Sequence, residues 1–325
     1  MSLTFVPLTL DQLKTNWPEF QKTLKAPHPF ITPGWLDTWW GSFGGSDELF
    51  LRAVKRDNET LGIVPLRVNG GVARFIGSAD VCDYLDFLVK PGAEPEYFEA
   101  VLNSVKSYGI KTLELESLRP DSTALNFLVP AAKMGDNSVE VVDTDVTLEM
   151  TLPATWDSYL LSLPTHQRHE TSRKLRRLEE AGAVRFDIKP SENVDEGMAT
   201  LLRLLRISRS DKAQFMTENM ETFFRRLASA MDQAGLLRIG QLWLKDAIVA
   251  SIMCFDYNGT RYLYNSGYAP EFSSLSVGLL SKVYSIKNAI EQKMVSYDFL
   301  KGAEVYKYHL GGIEMPISRL RIELN

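Results

Sequence analysis

The chain has 325 residues, of which 45% are hydrophobic and 24% charged, and its formal net charge is −5. This length exceeds what one compact core usually holds, so we expect two domains in an ordinary soluble protein. The acidic balance argues against a general nucleic-acid-binding protein, and we expect no DNA partner. The start of the chain lacks the pattern of a signal peptide, and every apolar run falls short of the ~20 residues that span a bilayer. We therefore expect a cytoplasmic protein without a membrane span.

The first half of the chain predicts two helices, an antiparallel meander, a third helix and a further strand. An Asn-Gly pair at Asn69 marks a hairpin turn in the meander, because both turn residues need a positive φ. The predicted elements are helices 10–24, 33–43 and 94–107, and strands 48–55, 60–68, 72–76 and 110–116.

The second half predicts the same order of elements. They are helices 194–208, 219–234 and 277–293, and strands 236–244, 247–257, 261–264 and 295–300. A charged helix over 165–181 and a last strand over 314–324 complete the pattern. The repeated order indicates two copies of one α/β unit, and we place the domains at 1–152 and 153–325. Cys82 and Cys254 lie in apolar strand-like runs, which favours buried thiols over a disulfide.

The stretch from Arg261 to His309 is the most informative for function. It predicts a strand that breaks at residues 265–268, a Pro/Ser-rich loop, a helix that begins with small residues near Gly278, and a strand that ends in charged residues. A helix N-terminus of this kind favours an anion, because its first N–H groups point outward along the helix dipole. The sequence therefore predicts a cradle for an anionic ligand beside reactive side chains.

Several motifs resemble those of a known family. They are residues 35–40 with 43–44, 62–66, Gly77 with 83–86, 173–179, 262–268, 275–280 and 297–307. The chain resembles the tandem branch of the GNAT acyltransferase fold, which includes the CelD-type acetyltransferase-like proteins and, more distantly, the FemAB-type aminoacyltransferases. The resemblance implies an α/β protein (α+β, mixed sheet) of two tandem GNAT folds. It also implies a degenerate N-terminal domain on the acceptor side and an active C-terminal domain on the donor side.

The resemblance implies an acyl-CoA co-substrate and no tightly bound cofactor. In GNAT proteins the splayed strand binds the pantetheine arm and the next helix N-terminus holds the pyrophosphate. The positions that match here are Tyr264, Asn265, Ser266, Ser273, Ser276, Val277 and Gly278. The usual motif has Gln or Arg and then two glycines, whereas this chain has Ser276 at the first glycine position. Two interpretations remain open, a phosphate site and a serine-capped helix.

Acyl transfer to an amine needs a base for the amine proton and a donor for the departing group. The charged segment after the last predicted strand supplies both. Glu304 and Asp298 are the candidate bases and Tyr306 or Tyr308 the candidate acid, while Lys301 would hold a carboxylate or steady a developing negative charge. Residues with a predicted role in substrate binding are Asp83, Tyr84, Tyr268 and Lys307. The alternative is that this segment is an ordinary solvated loop.

From these features we expect an enzyme that transfers an acyl group to an amine or hydroxyl by direct attack, in a cleft between the two domains. The expected acceptor is a small molecule or a precursor of the bacterial cell envelope. One alternative is a FemAB-type aminoacyltransferase that uses aminoacyl-tRNA and a peptidoglycan precursor. Another is a non-catalytic binding protein with a degenerate GNAT fold. His166 and His169 share a helix face but lack a third ligand at a suitable spacing, so we expect no metal site.

Overall fold

The computed structural model describes residues 3–189, 193–208 and 210–325. The chain divides into two compact units, one of Met1–Val146 with Met315–Asn325 and one of Thr147–Glu314. The division predicted from the sequence, 1–152 and 153–325, differs from this one at residues 147–152, which belong to the second unit, and in the C-terminal segment. The structure assigns that segment to the first unit.

The elements of the first half appear in nearly the predicted order. They are β1 (Leu3–Pro7), α1 (Leu10–Thr23), α2 (Pro33–Phe43), β2 (Glu48–Arg56), β3 (Glu59–Asn69), β4 (Val72–Phe75), β5 (Leu88–Val89), α3 (Glu94–Ser107), β6 (Thr112–Leu118), α4 (Val129–Met134) and β7 (Ser138–Thr151). The sequence did not predict the short strand β1. It pairs antiparallel with β2, a long-range contact that local periodicity does not reveal.

The remaining elements run from α5 to the C-terminal strand. They are α5 (Trp156–Ser162), α6 (Thr165–Glu180), β8 (Val184–Lys189), α7 (Val194–Ser208), α8 (Ser210–Phe215), α9 (Glu218–Gln233), β9 (Leu237–Leu244), β10 (Ala247–Tyr257), β11 (Thr260–Tyr268), α10 (Val277–Glu291), β12 (Ser296–Lys301), α11 (Val305–His309) and β13 (Ile313–Glu323). Within the described ranges, no helix is long and apolar enough to cross a bilayer.

In the first unit the strands follow the order β1-β2-β3-β4-β6-β13-β7, and β5 adds to β3. The meander β2-β3-β4 is antiparallel, whereas β4 and β6 run parallel. The turn between β3 and β4 is Gly70-Gly71, with φ of 58° and 78°, rather than the predicted Asn69-Gly70. Two glycines suit this turn because both positions need a positive φ.

In the second unit the strands follow the order β7-β12-β11-β10-β9-β8. The meander β9-β10-β11 is antiparallel and β12 runs parallel to β11. The helix α10 lies between these two strands in the chain, as α3 does between β4 and β6 in the first unit. The second unit therefore repeats the order of the first, as the sequence predicted.

The structure extends β11 through the residues where the sequence predicted a break. Residues 265–268 continue the antiparallel ladder with β10, and Asn265 pairs with Met253. The register then passes from Met253 and Asn265 to Cys254 and Leu263, so Tyr264 is the extra residue of a β-bulge. Pairing with a neighbouring strand has overridden the turn tendency of Asn, Ser and Gly.

A buried arginine fixes the start of β11 against α10. Arg261 is 1% exposed, and its guanidinium donates to both carboxylate oxygens of Asp256 at 2.7 and 2.9 Å. It also donates to Asn288 Oδ1 at 2.8 Å and to the Ser285 carbonyl at 3.3 Å, both on α10. Because the buried charge is paired and hydrogen bonded, it holds strand and helix in one arrangement. The candidate site lies between these two elements.

Candidate functional site

The strands β11 and β12 separate after a short parallel ladder. Their pairing covers Thr260 to Tyr262 against Ser296 to Asp298. Beyond these residues β11 continues along β10 to Tyr268, while β12 continues to Lys301, which pairs with Thr147 of β7. Two strands that diverge in this way leave a gap at their carboxyl ends, where a sheet commonly binds its ligand.

A cavity of about 400 Å³ opens beside this gap. The cavity is lined by residues from the end of α7, from α8, from the end of β11, from the segment before α10 and its first turns, and from the start of α11. The residues that line it are Ser208, Lys212, Ser266, Tyr268, Ser273, Ser276, Val277, Gly278, Leu279, Lys282, Glu304 and Tyr306. Its wall therefore combines hydroxyl groups, two ammonium groups and one carboxylate.

The helix α10 begins at this cavity without a side-chain cap. Ser276 lies in the left-handed region with φ of 58°, and its hydroxyl makes no capping hydrogen bond. The alternative of an ordinary serine-capped helix is therefore wrong for Ser276. Its carbonyl accepts from the N–H groups of Leu279 and Leu280, which starts the helix. An uncapped N-terminus at a cavity wall favours an anion.

Gly278 is packed against an aromatic ring. A Cβ at this position would lie 2.8 Å from the ring of Tyr268. The absence of a side chain thus lets Tyr268 lie against the first turn of α10. The structure thus gives Gly278 a packing role, and its match to a phosphate-binding position stays a prediction.

Lys282 lies one turn into α10 and is 7% exposed. Its ammonium donates to Ser266 Oγ at 2.9 Å and to the Gly278 carbonyl at 2.8 Å. Burial first, and then the nearby charge of Lys212, lower the pKa of Lys282 from 10.5 to about 7. This lysine therefore changes its charge near neutral pH.

Lys212 reaches the same part of β11 from α8. Its ammonium donates to the Ser266 carbonyl at 2.6 Å and to Asn265 Oδ1 at 3.3 Å. Two ammonium groups from different helices thus meet at one serine. Neither lysine was among the residues predicted from the sequence.

Glu304, just before α11, and Tyr306, in the first turn of α11, form one side of the cavity. Glu304 Oε2 lies 2.9 Å from Lys307 Nζ, and its side chain is 46% exposed. The ring centroid of Tyr306 lies 5.3 Å from Lys282 Nζ. The structure thus places a carboxylate and a phenol, the predicted base and acid, on one cavity wall.

Several residues predicted for the donor and acceptor sites line the cavity: Ser266, Tyr268, Ser273, Ser276, Val277, Gly278, Glu304 and Tyr306. Tyr264 and Asn265 lie on β11 outside the lining. The Tyr264 ring packs against Phe224 and Phe255, at centroid distances of 5.6 and 5.2 Å. Asn265 Oδ1 accepts from the N–H of Ser266 at 2.9 Å as well as from Lys212.

Asp298, Lys301 and Lys307 also lie outside the lining. Asp298 is 2% exposed, and its Oδ1 accepts from the N–H of Leu300 at 2.8 Å. The ammonium of the buried Lys307 donates to the carbonyls of Leu300 and Gly302 at 2.9 Å, and also to that of Lys301. These contacts give Asp298 and Lys307 structural roles at the end of β12, while Lys301 is half-buried there.

Asp83 and Tyr84 belong to the first unit. Tyr84 is buried, and its ring lies 4.7 Å from that of His28 and 4.9 Å from the guanidinium carbon of Arg119. Burial lowers the pKa of His28 to about 3. Asp83, next to it, is half-buried. Tyr84 is thus a core residue of its own unit.

The first unit fills the gap that corresponds to the cavity of the second. The parallel pairing of β4 and β6 covers only Val72 with Thr112 and Ala73 with Leu113. Beyond it, the Leu85 N–H donates to the Ser117 carbonyl at 3.0 Å, and Ser117 Oγ donates to the Cys82 carbonyl at 2.9 Å. The segment between β4 and β5 therefore packs along β6, and the loss of a donor site in this unit stays a prediction.

Sequence reasoning missed Ser208, Lys212, Leu279 and Lys282. A signal for Lys282 was available, because it lies four residues after Gly278 and therefore on the same face of the helix. Its neighbours on the buried side, Ser281 and Ser285, are small and fully buried. A lysine among small buried residues is unusual enough to mark a site. Lys212 had no such signal, since only the tertiary fold brings α8 to β11.

Comparison with known proteins identifies the second unit. Residues 165–308 match the family model described as the acetyltransferase (GNAT) domain. The second unit is a GNAT acetyltransferase domain. Among curated proteins, none matches this chain in sequence.

Solved structures with the same fold cover nearly the whole chain. FemX has 12% identity and a TM-score of 0.66, and the match covers 98% of this chain and 97% of FemX. The C-terminal domain of a putative lysylphosphatidylglycerol synthetase from Agrobacterium fabrum has 9% identity and a TM-score of 0.62, with 97% and 92% covered. A tandem GNAT protein from the clavulanic acid pathway has 13% identity and a TM-score of 0.50, with 98% of each chain covered.

The protein thus has a FemAB-like tandem GNAT fold, as the sequence predicted. With a GNAT acetyltransferase domain as its second unit, it is an enzyme of the acyltransferase class. The fold alone does not name its donor or acceptor, because one fold serves many substrates.

Proposed function

We propose that this enzyme transfers an acyl group from an acyl-CoA to an amine or hydroxyl acceptor by direct attack. The observation that carries the proposal is the cavity at the splay of β11 and β12, against the uncapped start of α10. It lies in the unit that matches the acetyltransferase family. No side-chain nucleophile is required, because the acceptor itself attacks the thioester.

The residues at the start of α10 fit the phosphates of such a donor. The hydroxyls of Ser273 and Ser276 and the first turn of the helix line the cavity. Helix N–H groups and hydroxyls are common partners of phosphate oxygens. A bound acyl-CoA supplies an activated thioester, and the chain's own task is to orient it and to move protons.

Glu304 and Tyr306 are the residues that we assign to proton transfer. As the acceptor nitrogen or oxygen bonds to the acyl carbon, Glu304 takes the proton that the acceptor loses. As the carbon–sulfur bond breaks, the Tyr306 hydroxyl gives a proton to the leaving sulfur. General acid–base steps of this kind typically contribute ~10²- to 10⁴-fold in rate. A role of Lys301 in steadying negative charge stays a prediction, as it lies outside the cavity lining.

The acceptor class also stays a prediction from the sequence. We propose a small molecule or a precursor of the cell envelope. The name of the lysylphosphatidylglycerol synthetase whose domain shares this fold is in keeping with an envelope precursor.

Calorimetric titration with acetyl-CoA, longer acyl-CoAs and CoA tests the proposal. We expect saturable binding that weakens in a Ser273→Ala, Ser276→Ala double variant. Glu291→Ala, at the far end of α10, is the matched control and should leave the affinity unchanged. Absence of binding for every CoA derivative would overturn an acyl-CoA donor.

A further inference from the structure

Lys282 has a place in the cavity that the proton transfers assigned above do not use. It lines the cavity and is 7% exposed. Among the described residues its amino group donates to two acceptors, Ser266 Oγ at 2.9 Å and the Gly278 carbonyl at 2.8 Å. The lysine can thus be reached from the cavity while it is largely shielded from bulk solvent.

Two acceptors are the number that a neutral lysine needs. An ammonium has three N–H donors and no lone pair, whereas a neutral amine has two N–H groups and one lone pair. With Ser266 and Gly278 as acceptors, Lys282 can lose a proton and keep both hydrogen bonds, and its lone pair then stays available. The hydrogen-bonding geometry therefore accommodates a nucleophilic amine.

The surroundings of Lys282 also favour the neutral amine near neutral pH. Burial first, and then the charge of Lys212 on α8, lower its pKa to about 7. The other groups that act on Lys282 are Lys307, in the same direction, and three that favour the ammonium: Cys254, Glu304 and the ring of Tyr306. A lysine that is desolvated or lies beside another cation is a common form of activated amine nucleophile.

The ring of Tyr306 connects this amine to the proposed reaction. Its centroid lies 5.3 Å from Lys282 Nζ, and its hydroxyl is the group that we assign to the leaving sulfur. A donor placed for that proton transfer therefore brings its thioester to the same ring as the Lys282 amine. Holding two reacting groups together in this way raises their rate of reaction by orders of magnitude.

From this geometry we infer that Lys282 is a site of self-acylation, which takes the acyl group of a bound donor when no other acceptor occupies the cavity. The inference rests on the proposed function, since the donor is the acyl-CoA proposed above. The lone pair of Nζ attacks the thioester carbon, a C–N bond forms and the C–S bond breaks. The nitrogen loses one proton and the sulfur gains one, so the products are an acylated lysine and free CoA.

The experiment is mass spectrometry of the full chain after incubation with acetyl-CoA in the absence of an acceptor. Peptide mapping gives the rate of acetylation at each lysine. We expect Lys282 to be acetylated at least tenfold faster than Lys287, which lies on the same helix outside the lining. The rate at Lys282 should saturate with the concentration of acetyl-CoA, because the reaction takes place within a bound complex.

The dependence on pH separates this reaction from chance acetylation of surface lysines. The rate at Lys282 should rise between pH 6 and pH 7 and level off above about pH 8, because the amine is then neutral. An ordinary lysine, with a pKa of about 10.4, should instead gain close to tenfold in rate for each pH unit over this range. A rate at Lys282 that follows the ordinary profile would overturn the inference.

Variants on the same helix provide the controls. Lys282→Arg keeps a cation but removes the amine, so it should abolish the saturable acetylation. Lys287→Arg should leave the rate at Lys282 unchanged. Retained circular dichroism and a cooperative thermal transition show that each variant folds. Mapping on the unaltered chain needs no variant, so it decides the matter even where a variant fails to fold.

Failure of this inference is distinguishable from failure of the proposed function. If acetyl-CoA binds in calorimetry but acetylates Lys282 no faster than Lys287, the inference is overturned and the donor proposal stands. S-acetyl-N-acetylcysteamine, an acetyl thioester without phosphates, tests the amine by itself. Selective acetylation of Lys282 by this thioester, with no binding of any CoA derivative, would support the reactive lysine and overturn the donor proposal. If neither thioester acetylates Lys282 selectively, the inference fails.

Discussion

The ring of Tyr268 lies against Gly278, so that a Cβ on the glycine would come within 2.8 Å of the ring. The last residue of β11 and the first turn of α10 are thus in contact through a position that only glycine fits. Because both residues line the cavity, this contact shapes part of its wall.

We therefore predict that Gly278→Val lowers stability and substrate affinity together. Displacing the ring from a packed position costs on the order of 1–3 kcal/mol. The free energy of unfolding from urea titrations and the calorimetric affinity for acetyl-CoA measure the two effects.

A double variant separates packing from access of the ligand. Tyr268→Ala removes the ring, so Gly278→Val should then cost little stability. If affinity is still lost in the double variant, the glycine also serves the approach of the ligand. Equal loss of stability in both backgrounds would contradict the packing role.

Lys282→Met should change how stability depends on pH. The pKa of Lys282 is about 7 in the folded protein and near 10.5 when it is exposed. Between these values the unfolded chain binds more protons than the folded one, so stability rises with pH in this window. The contribution of Lys282 to the free energy of unfolding is fully present above pH 10.5 and is lost as the pH falls to 7.

Methionine removes this slope. The gain in the free energy of unfolding of Lys282→Met over the unaltered chain should be largest at or below pH 7. Above pH 7 this gain should shrink by up to about 1.4 kcal/mol for each pH unit. Unfolding in urea at pH 6.5, 8 and 9.5 measures it, with Lys287→Met as the control. Parallel profiles for the two proteins would show that Lys282 is not desolvated.

Much of the fold could be predicted because its elements carry strong local patterns. The helices α2, α3 and α7 and the strand β10 follow from the periodicity of their apolar residues, since each packs one face on the core. The repeated order of elements then indicated the tandem fold. Pairings between distant segments could not be predicted. The strand β13 joins the first unit because Leu320 and Ile322 pair with Leu115 and Leu113 of β6.

The candidate site could be predicted in part for the same reason. Ser276 and Gly278 lie at a recognisable helix start, and Glu304 and Tyr306 follow a recognisable strand. Lys307, by contrast, was predicted to bind the substrate from a charged segment, yet it is 2% exposed. Whether a lysine reaches solvent or turns inward to carbonyl groups depends on how the chain folds back after β12, which periodicity does not describe.

A buried carboxylate, Asp86, makes the stability of the first unit fall as the pH rises. Asp86 accepts from the N–H and hydroxyl of Thr123 at 2.7 and 2.8 Å, and from the N–H groups of Phe87 and Ala124 at 2.9 and 3.1 Å. Burial outweighs these hydrogen bonds and raises the pKa of Asp86 from 3.8 to about 6. The folded protein therefore binds the extra proton between these values, and this contribution to stability is present below pH 3.8 and lost as the pH passes 6.

Asp86→Asn should remove that dependence. We expect the variant to be less stable than the unaltered chain, because its amide cannot accept all four hydrogen bonds and each one lost costs ~1–3 kcal/mol. The difference should be larger at pH 4 than at pH 7. Urea unfolding at the two pH values measures it, with the exposed Asp80→Asn as the control. A difference that does not change with pH would contradict the raised pKa.

Lys307 offers the sharpest test between a structural role and a role in substrate binding. Its ammonium donates to the carbonyls of residues 300–302 and contacts Glu304. Lys307→Met leaves these carbonyls without their donor, so we expect a loss of stability of ~1–3 kcal/mol for each carbonyl that stays unsatisfied. Glu304→Gln, by contrast, should lower the unfolding free energy by ~1 kcal/mol or less, because the Glu304 side chain is partly exposed and the amide oxygen can still accept from Lys307.

The variants Glu304→Gln and Lys307→Met should also differ in kcat and KM. If Glu304 takes the acceptor's proton, Glu304→Gln lowers kcat by ~10²-fold or more while the KM for the acyl-CoA changes little. Lys307→Met, assayed at a temperature where it remains folded, should affect kcat through the position of Glu304. A rise in the KM of Lys307→Met at unchanged stability would instead show that Lys307 contacts the substrate, as the sequence predicted. Steady-state rates and thermal unfolding of both variants decide between these outcomes.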